Sequence, residues 1–507
     1  MTRLSLLLVI AAAACASAPR FKDQPVVKRV ADDRPIAEPT ARKFYPVEYF
    51  TKIFVTRRID RALALEDSGP SGNLNALDDV PDSTWFQHRI GTRALSPAEA
   101  AAGPAAGGHG PPVLPLQVVK AKQGGGNPGF IAADATGRRF LVKFDTRANP
   151  EMQTAAGVVV NRVFWTLGYN VPADHVFRFR RDELTVSPER RAAIDAVLAT
   201  SPRQADGAYR AFASELLAGA PKGGWSMEGK RADDPNDRVP HERRRELRAL
   251  RVFAAWLGHT DMKEDNTLDM YVDESGRRFL RHYLVDFGEA LGGHAAEKGR
   301  REDGWEHVWD WELQARAFVS FGLWKRPWED TRPTQWAAIG NFRSEGFDPR
   351  LWREAYPYFP FFEMDAADAF WAAKLVMRFD RPTMAAIVAE GQLSDPAAAA
   401  YLVDALLARR DAIGRAYLDR VTPLDELQVA GHWLCMVDMA VRHGVARGGQ
   451  VELDGRVTPI AADGRVCLEL PRTDAYTIWR LRVRRADGLR PVMQVHLSAG
   501  RVLGIVR

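Results

Sequence analysis

The sequence predicts an α+β protein of more than one domain: a β-rich segment carrying one helix, then a long helical region, then a small all-β appendage. Three observations predict it. Between residues 113 and 180, short runs of Val, Leu and Phe alternate with glycine turns and enclose one long apolar helical pattern. Between residues 181 and 425, apolar residues recur at helical spacing, as in Leu247, Leu250, Phe253 and Leu257. From residue 448 the period becomes two, as in Tyr476 to Val483, with turns at Asp454-Gly455, Asp463-Gly464 and Asp487-Gly488. A length of 507 residues exceeds one ordinary domain, and 46% hydrophobic residues supply a large core.

The first residues predict export. Arg3 precedes the apolar run Leu4 to Ala14, too short for a stable membrane span, so residues 1–14 read as a signal peptide. Ala12-Ala13-Ala14 before Cys15 resembles a bacterial lipobox, although Ala12 stands where Leu is usual. That resemblance implies a lipoprotein of the cell envelope, in the periplasm or outer membrane, held to the membrane through a lipidated Cys15. Cleavage at the same site without a lipid is the alternative. Cys435 and Cys467 remain. Cys435, within Trp433-Leu434-Cys435-Met436, reads as a buried free thiol, with a Cys435–Cys467 bridge as the alternative. A net charge of +5 over this length gives no argument for nucleic acid, and the Arg243-Arg244-Arg245 run reads as a solvated helix face.

Residues 15–112 read as an N-terminal tether and packing segment. The polar tract to about residue 45 is the tether, Tyr45 to Leu65 a packing helix, and Ala/Gly/Pro-rich residues 96–113 a linker. Asp78 to Phe86 is turn chemistry rather than a calcium loop. Strands are expected at Leu116 to Lys122, Phe130 to Ala133 and Arg139 to Asp145, ending in Leu141-Val142-Lys143-Phe144. Gly124, Gly126 and Gly129 fit a G-x-G-x-x-G spacing, whose backbone can close over phosphates. Asn149 and Pro150 open a helix ending at Gly168, with Glu151 its only acid. Val171 to Arg178 is a further strand. A helix from Pro240 stops at Gly258 and leaves His259 to Asn266 in a loop. A hairpin, Thr267 to Val272 with Arg277 to Val285, leads to Asp286-Phe287-Gly288.

His259-x-Asp261 followed by Asn266, with Asp286-Phe287-Gly288 twenty residues later, resembles the catalytic half of the protein-kinase-like superfamily. Thr260 replaces the usual arginine and no Ala-Pro-Glu follows Gly288, so the chain looks more like the atypical branch: HipA, phosphoinositide-kinase-like, and secretory-pathway or spore-coat kinases. The resemblance implies a bilobal fold, with a small lobe over 113–180 and a large helical lobe over 181–425. It implies that Asp261 orients the attacking hydroxyl, that Asn266 and Asp286 bind Mg²⁺, and that Lys143, paired with Glu151, holds phosphates under the glycine loop. His259 would be structural. The implied activity is an exported phosphotransferase moving the γ-phosphate of ATP, with Mg²⁺, to a hydroxyl of a protein, sugar or lipid head group. The alternatives are a pseudokinase or nucleotide-binding scaffold, or AMP transfer. Trp305, Trp309, Trp311, Trp324 and Trp328 read as core packing, with a sugar-stacking platform as the alternative.

Overall fold

The computed structural model describes residues 20–22, 24–63, 69–122, 127–294 and 297–507. The expectations for residues 1–14, Cys15, Gly124 and Gly126 lie outside the described residues. The chain forms two compact units, one of Arg29–Asn73 with Val80–Leu418, the other of Leu74–Asp79 and Asp419–Arg507 with the described residues before 29.

The larger unit opens with an extended strap rather than the expected tether. Buried Asp32 accepts hydrogen bonds from the Thr84 amide at 3.0 Å and its Oγ1 at 2.8 Å, and Arg42 Nη2 donates to Glu264 Oε2 at 2.6 Å. A helical run follows: α1 (Pro46–Thr51), a π turn (Lys52–Thr56) and α2 (Arg57–Ala62), burying Tyr49, Ile53 and Phe54. The segment expected to be a linker holds α3 (Pro97–Ala102), started by a capping box between Ser96 and Glu99. Ala100 is fully buried, and Gly103 abuts the Arg162 side chain. Small residues serve close packing here, which composition alone does not distinguish from flexibility.

A six-stranded sheet follows, from β1 (Leu116–Ala121), β2 (Gly129–Ala133), β3 (Arg139–Lys143), β4 (Asp174–Phe179), β5 (Leu184–Thr185) and β6 (Tyr209–Glu215), in the order β4-β6-β3-β2-β1-β5. The sheet thus runs past residue 180, because β6 fills the place between β3 and β4. All neighbours are antiparallel except β1 and β5. Alternation decides the two faces. Phe130, Phe140, Val142, Phe177 and Ala211 turn to one face, where Ile194 and Leu198 of α5 (Pro188–Thr200) close the core. Phe212 and Val176 turn to the other, against Val158 of α4 (Met152–Leu167).

Helix α4 begins at Met152, three residues after the expected cap. Asp145, at the end of β3, supplies the cap from a distance: its Oδ1 accepts the Gln153 and Thr154 amides at 2.8 and 3.0 Å, and its Oδ2 accepts Thr154 Oγ1 at 2.6 Å. Only Trp165 among the residues of α4 escapes burial, so the helix runs through the core.

Helix α6 (Arg245–Leu257) ends at Gly258 in the left-handed conformation, as the sequence implies. β7 (Ala220–Pro221), β8 (Thr267–Glu274) and β9 (Arg277–Leu284) form a three-stranded sheet containing the expected hairpin. Helices α7 (Trp311–Val319), α8 (Ala366–Val376), α9 (Arg381–Ala389) and α10 (Pro396–Tyr417) follow, with α6, α8 and α10 packed together. The arginine run is not a solvated face. Arg244 and Arg245 are buried, the first on Asp237 at 2.8 Å, the second on Asp368 at 2.9 Å.

Among its described residues the smaller unit is all-β apart from one short helix, Met439–Arg442. Its strands begin at Leu424, earlier than the expected start at 448. Strands 424–430, 433–438 and 465–469 form one sheet, and alternating Trp479, Leu481 and Val483 help fill the core. Cys435 and Cys467 face each other across two antiparallel strands and are joined in a disulfide, which corrects the free-thiol reading. The bridge closes a loop of 32 residues. Replacing both cysteines by serine is expected to cost this unit about 3–4 kcal/mol, read as a lower urea midpoint in non-reducing buffer.

Candidate functional site

Three local rules bring the site together. Along β3, Val142 turns into the core under α5, so Lys143 turns to the opposite face. Gly258 stops α6 and releases His259 to Asn266 as a loop. The β8–β9 ladder pairs Thr267 with Leu284, and the Val285 amide donates to the Asn266 carbonyl at 3.1 Å. Asn266 and Asp286 are therefore held at the same end of one hairpin.

Lys143, Asp261, Asn266 and Asp286 line a single cleft of about 180 Å³. Lys143 Nζ donates to Asp286 Oδ1 at 2.8 Å. Burial pulls the Asp286 carboxyl up, but the Lys143 ammonium, with Lys122 and Lys263 beyond it, outweighs that and holds it below the usual carboxylate range. Asp286 has φ of +62°, a left-handed conformation uncommon for a residue with a side chain. Buried Phe287 stacks on Phe164 of α4 with ring centroids 5.2 Å apart and meets His259 edge-on at 6.0 Å. This anchors the turn with Asp286 in the cleft. Complete burial lowers the pKa of His259 to about 4, so the ring is neutral and packs as part of the core.

Asp261 is held from two sides. Lys263 Nζ donates to its two oxygens at 2.7 and 2.9 Å, and Asn266 Nδ2 donates to its Oδ2 at 2.7 Å and its carbonyl at 2.6 Å. Burial draws the Lys263 pKa down, but the Asp261 charge and hydrogen bond more than reverse this, and the net shift is upward. Asp261 is thus a fixed acceptor within a cationic rim.

Glu151 does not join this group. Its Oε2 accepts the Ser394 amide at 2.9 Å and Ser394 Oγ at 3.1 Å, and Lys143 is paired with Asp286 instead. The helix presents Gln153 and Gly157 to the cleft. Gly129 lies within β2 opposite Lys143, where a Cβ would collide with the Val142 carbonyl, so the site needs it for strand packing. Lys263 and Lys122 were missed by sequence reasoning. Lys263 is extended, two residues beyond Asp261, and in extended chain such side chains share a face. Lys122 lies one residue past β1, where its ammonium donates to the Asn127 carbonyl at 2.9 Å.

Lys122, Lys143 and Lys263 can receive a polyanion. The Asp286 carboxylate and Asn266 amide are hard oxygen donors of the kind magnesium takes when phosphates and water complete its octahedron. Among the described residues no cluster of three or more His, Cys, Asp or Glu forms a metal cage.

No protein-family model and no curated protein matches the chain. Among solved structures, the crystal structure of the Golgi casein kinase with Mn/ADP bound is similar at 10% identity and a TM-score of 0.28, over 60% of this chain and 72% of that one. A likeness that distant says nothing about the chemistry of this chain.

Proposed function

We propose that the cleft binds ATP with Mg²⁺ and transfers its γ-phosphoryl group to a hydroxyl, on a bilobal, atypical protein-kinase-like scaffold. The observation that carries this reading is the gathering of Lys143, Asp261, Asn266 and Asp286, far apart in sequence, around one cleft. Lys143 on the third strand, an acid in the loop after a helix, and an Asp-Phe-Gly turn after a strand are the parts phosphoryl transfer by kinases uses. In this reading Lys143 and Lys122 hold the phosphates, and Asp261 aligns the acceptor hydroxyl and takes its proton. Lys263 holds Asp261 in place and adds positive charge where the transferred group passes. Asn266 and Asp286 hold Mg²⁺, which supplies neutralising charge to the phosphates.

Thermal unfolding tests it. ATP with Mg²⁺ at about 100 times its Kd adds about 2.7 kcal/mol of stability. The native protein is expected to show that shift and Asp286→Ala to lose it. No shift in the native protein refutes nucleotide binding. A second reading, a nucleotide-binding scaffold, is favoured by Gln153 standing on the helix face where kinases place an acid. A shift without γ-phosphate turnover supports the scaffold instead.

A further inference from the structure

The tryptophans expected to pack a core do not. None of Trp305, Trp309, Trp311, Trp324 and Trp328 is buried. Trp305, Trp324 and Trp328 line a second, much larger cleft of about 980 Å³, walled also by α2 and by residues 350–364. A cleft this size accepts an extended ligand.

Its charge is unbalanced. The acids on its wall are engaged: Glu306 with Arg326 Nη1 at 2.7 Å and Trp328 Nε1 at 2.5 Å, Glu312 with Arg353 at 3.2 Å, and Glu354 with the Tyr358 amide at 3.2 Å. Arg58, Arg61, Arg251 and Arg316 also face the cleft, and none forms an ion pair with a described carboxylate. Arg61 lies over the Phe362 ring at 4.1 Å and Arg316 over Trp324 at 4.3 Å. Arg58 donates to the Trp309 carbonyl at 3.3 Å and Arg251 to the Arg350 carbonyl at 3.2 Å. Burial depresses the Arg58 guanidinium, and the nearby charges of Asp310, Glu312 and Glu354 offset only part of that.

We propose that this cleft binds an anionic carbohydrate chain, with the indole faces stacking on sugar rings and the unpaired guanidiniums taking their carboxylate or phosphate groups. Guanidinium forks match both anions in a bidentate way. The half-buried tryptophans favour a saccharide over an acidic peptide, because a peptide of Asp and Glu offers carboxylates but no ring faces. The proposal is independent of phosphoryl transfer and predicts binding in the absence of nucleotide.

The test uses the full chain and isothermal titration at low salt, with hexagalacturonate, neutral maltohexaose and poly-L-glutamate as probes. Hexagalacturonate is expected to bind most tightly. Arg61→Gln, and separately Arg251→Gln, are expected to weaken it about tenfold, the scale of one charged hydrogen bond. Trp324→Ala is expected to weaken it about fivefold, and Trp324→Phe to restore most of that. Exposed Arg480→Gln and Arg482→Gln, in the other unit, should leave it unchanged. Unaltered melting temperatures show that each variant is folded. Poly-L-glutamate binding as tightly as the glycan, with no effect of Trp324→Ala, makes this an acidic-peptide site and overturns the proposal. So does an absence of hexagalacturonate binding, or binding that survives every cleft substitution.

Discussion

Asp261→Asn is expected to lower turnover of γ-labelled ATP about 10²–10⁴-fold, the usual contribution of a positioned acid–base group. Nucleotide binding should persist. The substitution keeps the side chain's shape and leaves Lys143 and Asp286 untouched, but it removes the charge that Lys263 and Asn266 hold in place. Without that charge the acceptor hydroxyl loses its proton acceptor, and the Lys263 ammonium loses its partner. Asp286→Ala should behave differently, losing both turnover and the magnesium-dependent thermal shift, since it removes a donor atom rather than a base. Turnover is read as label on the protein or released phosphate. Equal loss of binding in the two variants sinks the division of roles. Unchanged turnover in Asp261→Asn sinks the assignment of the base.

What sequence reasoning captured here is what local chemistry decides. Gly258 had to end a helix, Asp273 to Gly276 had to turn a hairpin, and alternation in Arg139–Lys143 had to separate Val142 from Lys143. Those rules hold Asn266 and Asp286 at one end of a hairpin and turn Lys143 away from the core, and the packing of Phe287 on Phe164 ties the two parts together. The failures share a cause, which is a partner distant in sequence. Glu151 was the only acid in the expected helix, but Asp145 caps that helix across a loop and moves its start to Met152. Gln153 and Gly157, four apart, then occupy the cleft face, and Glu151 stands before the helix in the left-handed conformation, φ +69°, with its carboxylate on Ser394. The strap at 29–45 looked like a tether because Thr84 and Glu264, which fix it, lie far along the chain. Ala100 and Gly103 looked like a linker because nothing local says that the buried Arg162 packs on Gly103 and donates to the Ala101 carbonyl.

The buried arginines of α6 give the largest expected effect on stability. Asp368 has no solvent exposure. Its Oδ1 accepts Arg245 Nε at 2.9 Å and Ser71 Oγ at 2.8 Å, and its Oδ2 lies 3.4 Å from Arg248 Nη1. It also completes the capping box that starts α8 with Asp365. Arg245 and Arg248 are themselves among the fully buried side chains. Asp368→Ala therefore removes the buried carboxylate that Arg245 and Ser71 bond and that lies beside Arg248, opens a space there, and loses a cap. Breaking a buried pair in this way costs about 3–5 kcal/mol, a large part of the roughly 5–15 kcal/mol that holds a domain folded. Asp404→Ala provides the contrast. It removes an ion pair of similar length, 2.7 Å to Arg381, but with both side chains about 60% exposed, and is expected to cost about 1 kcal/mol or less. Urea unfolding of the two variants in parallel measures the difference. Similar midpoints would mean that the remaining partners of Arg245 and Arg248 carry their charge without Asp368, and would sink this assignment.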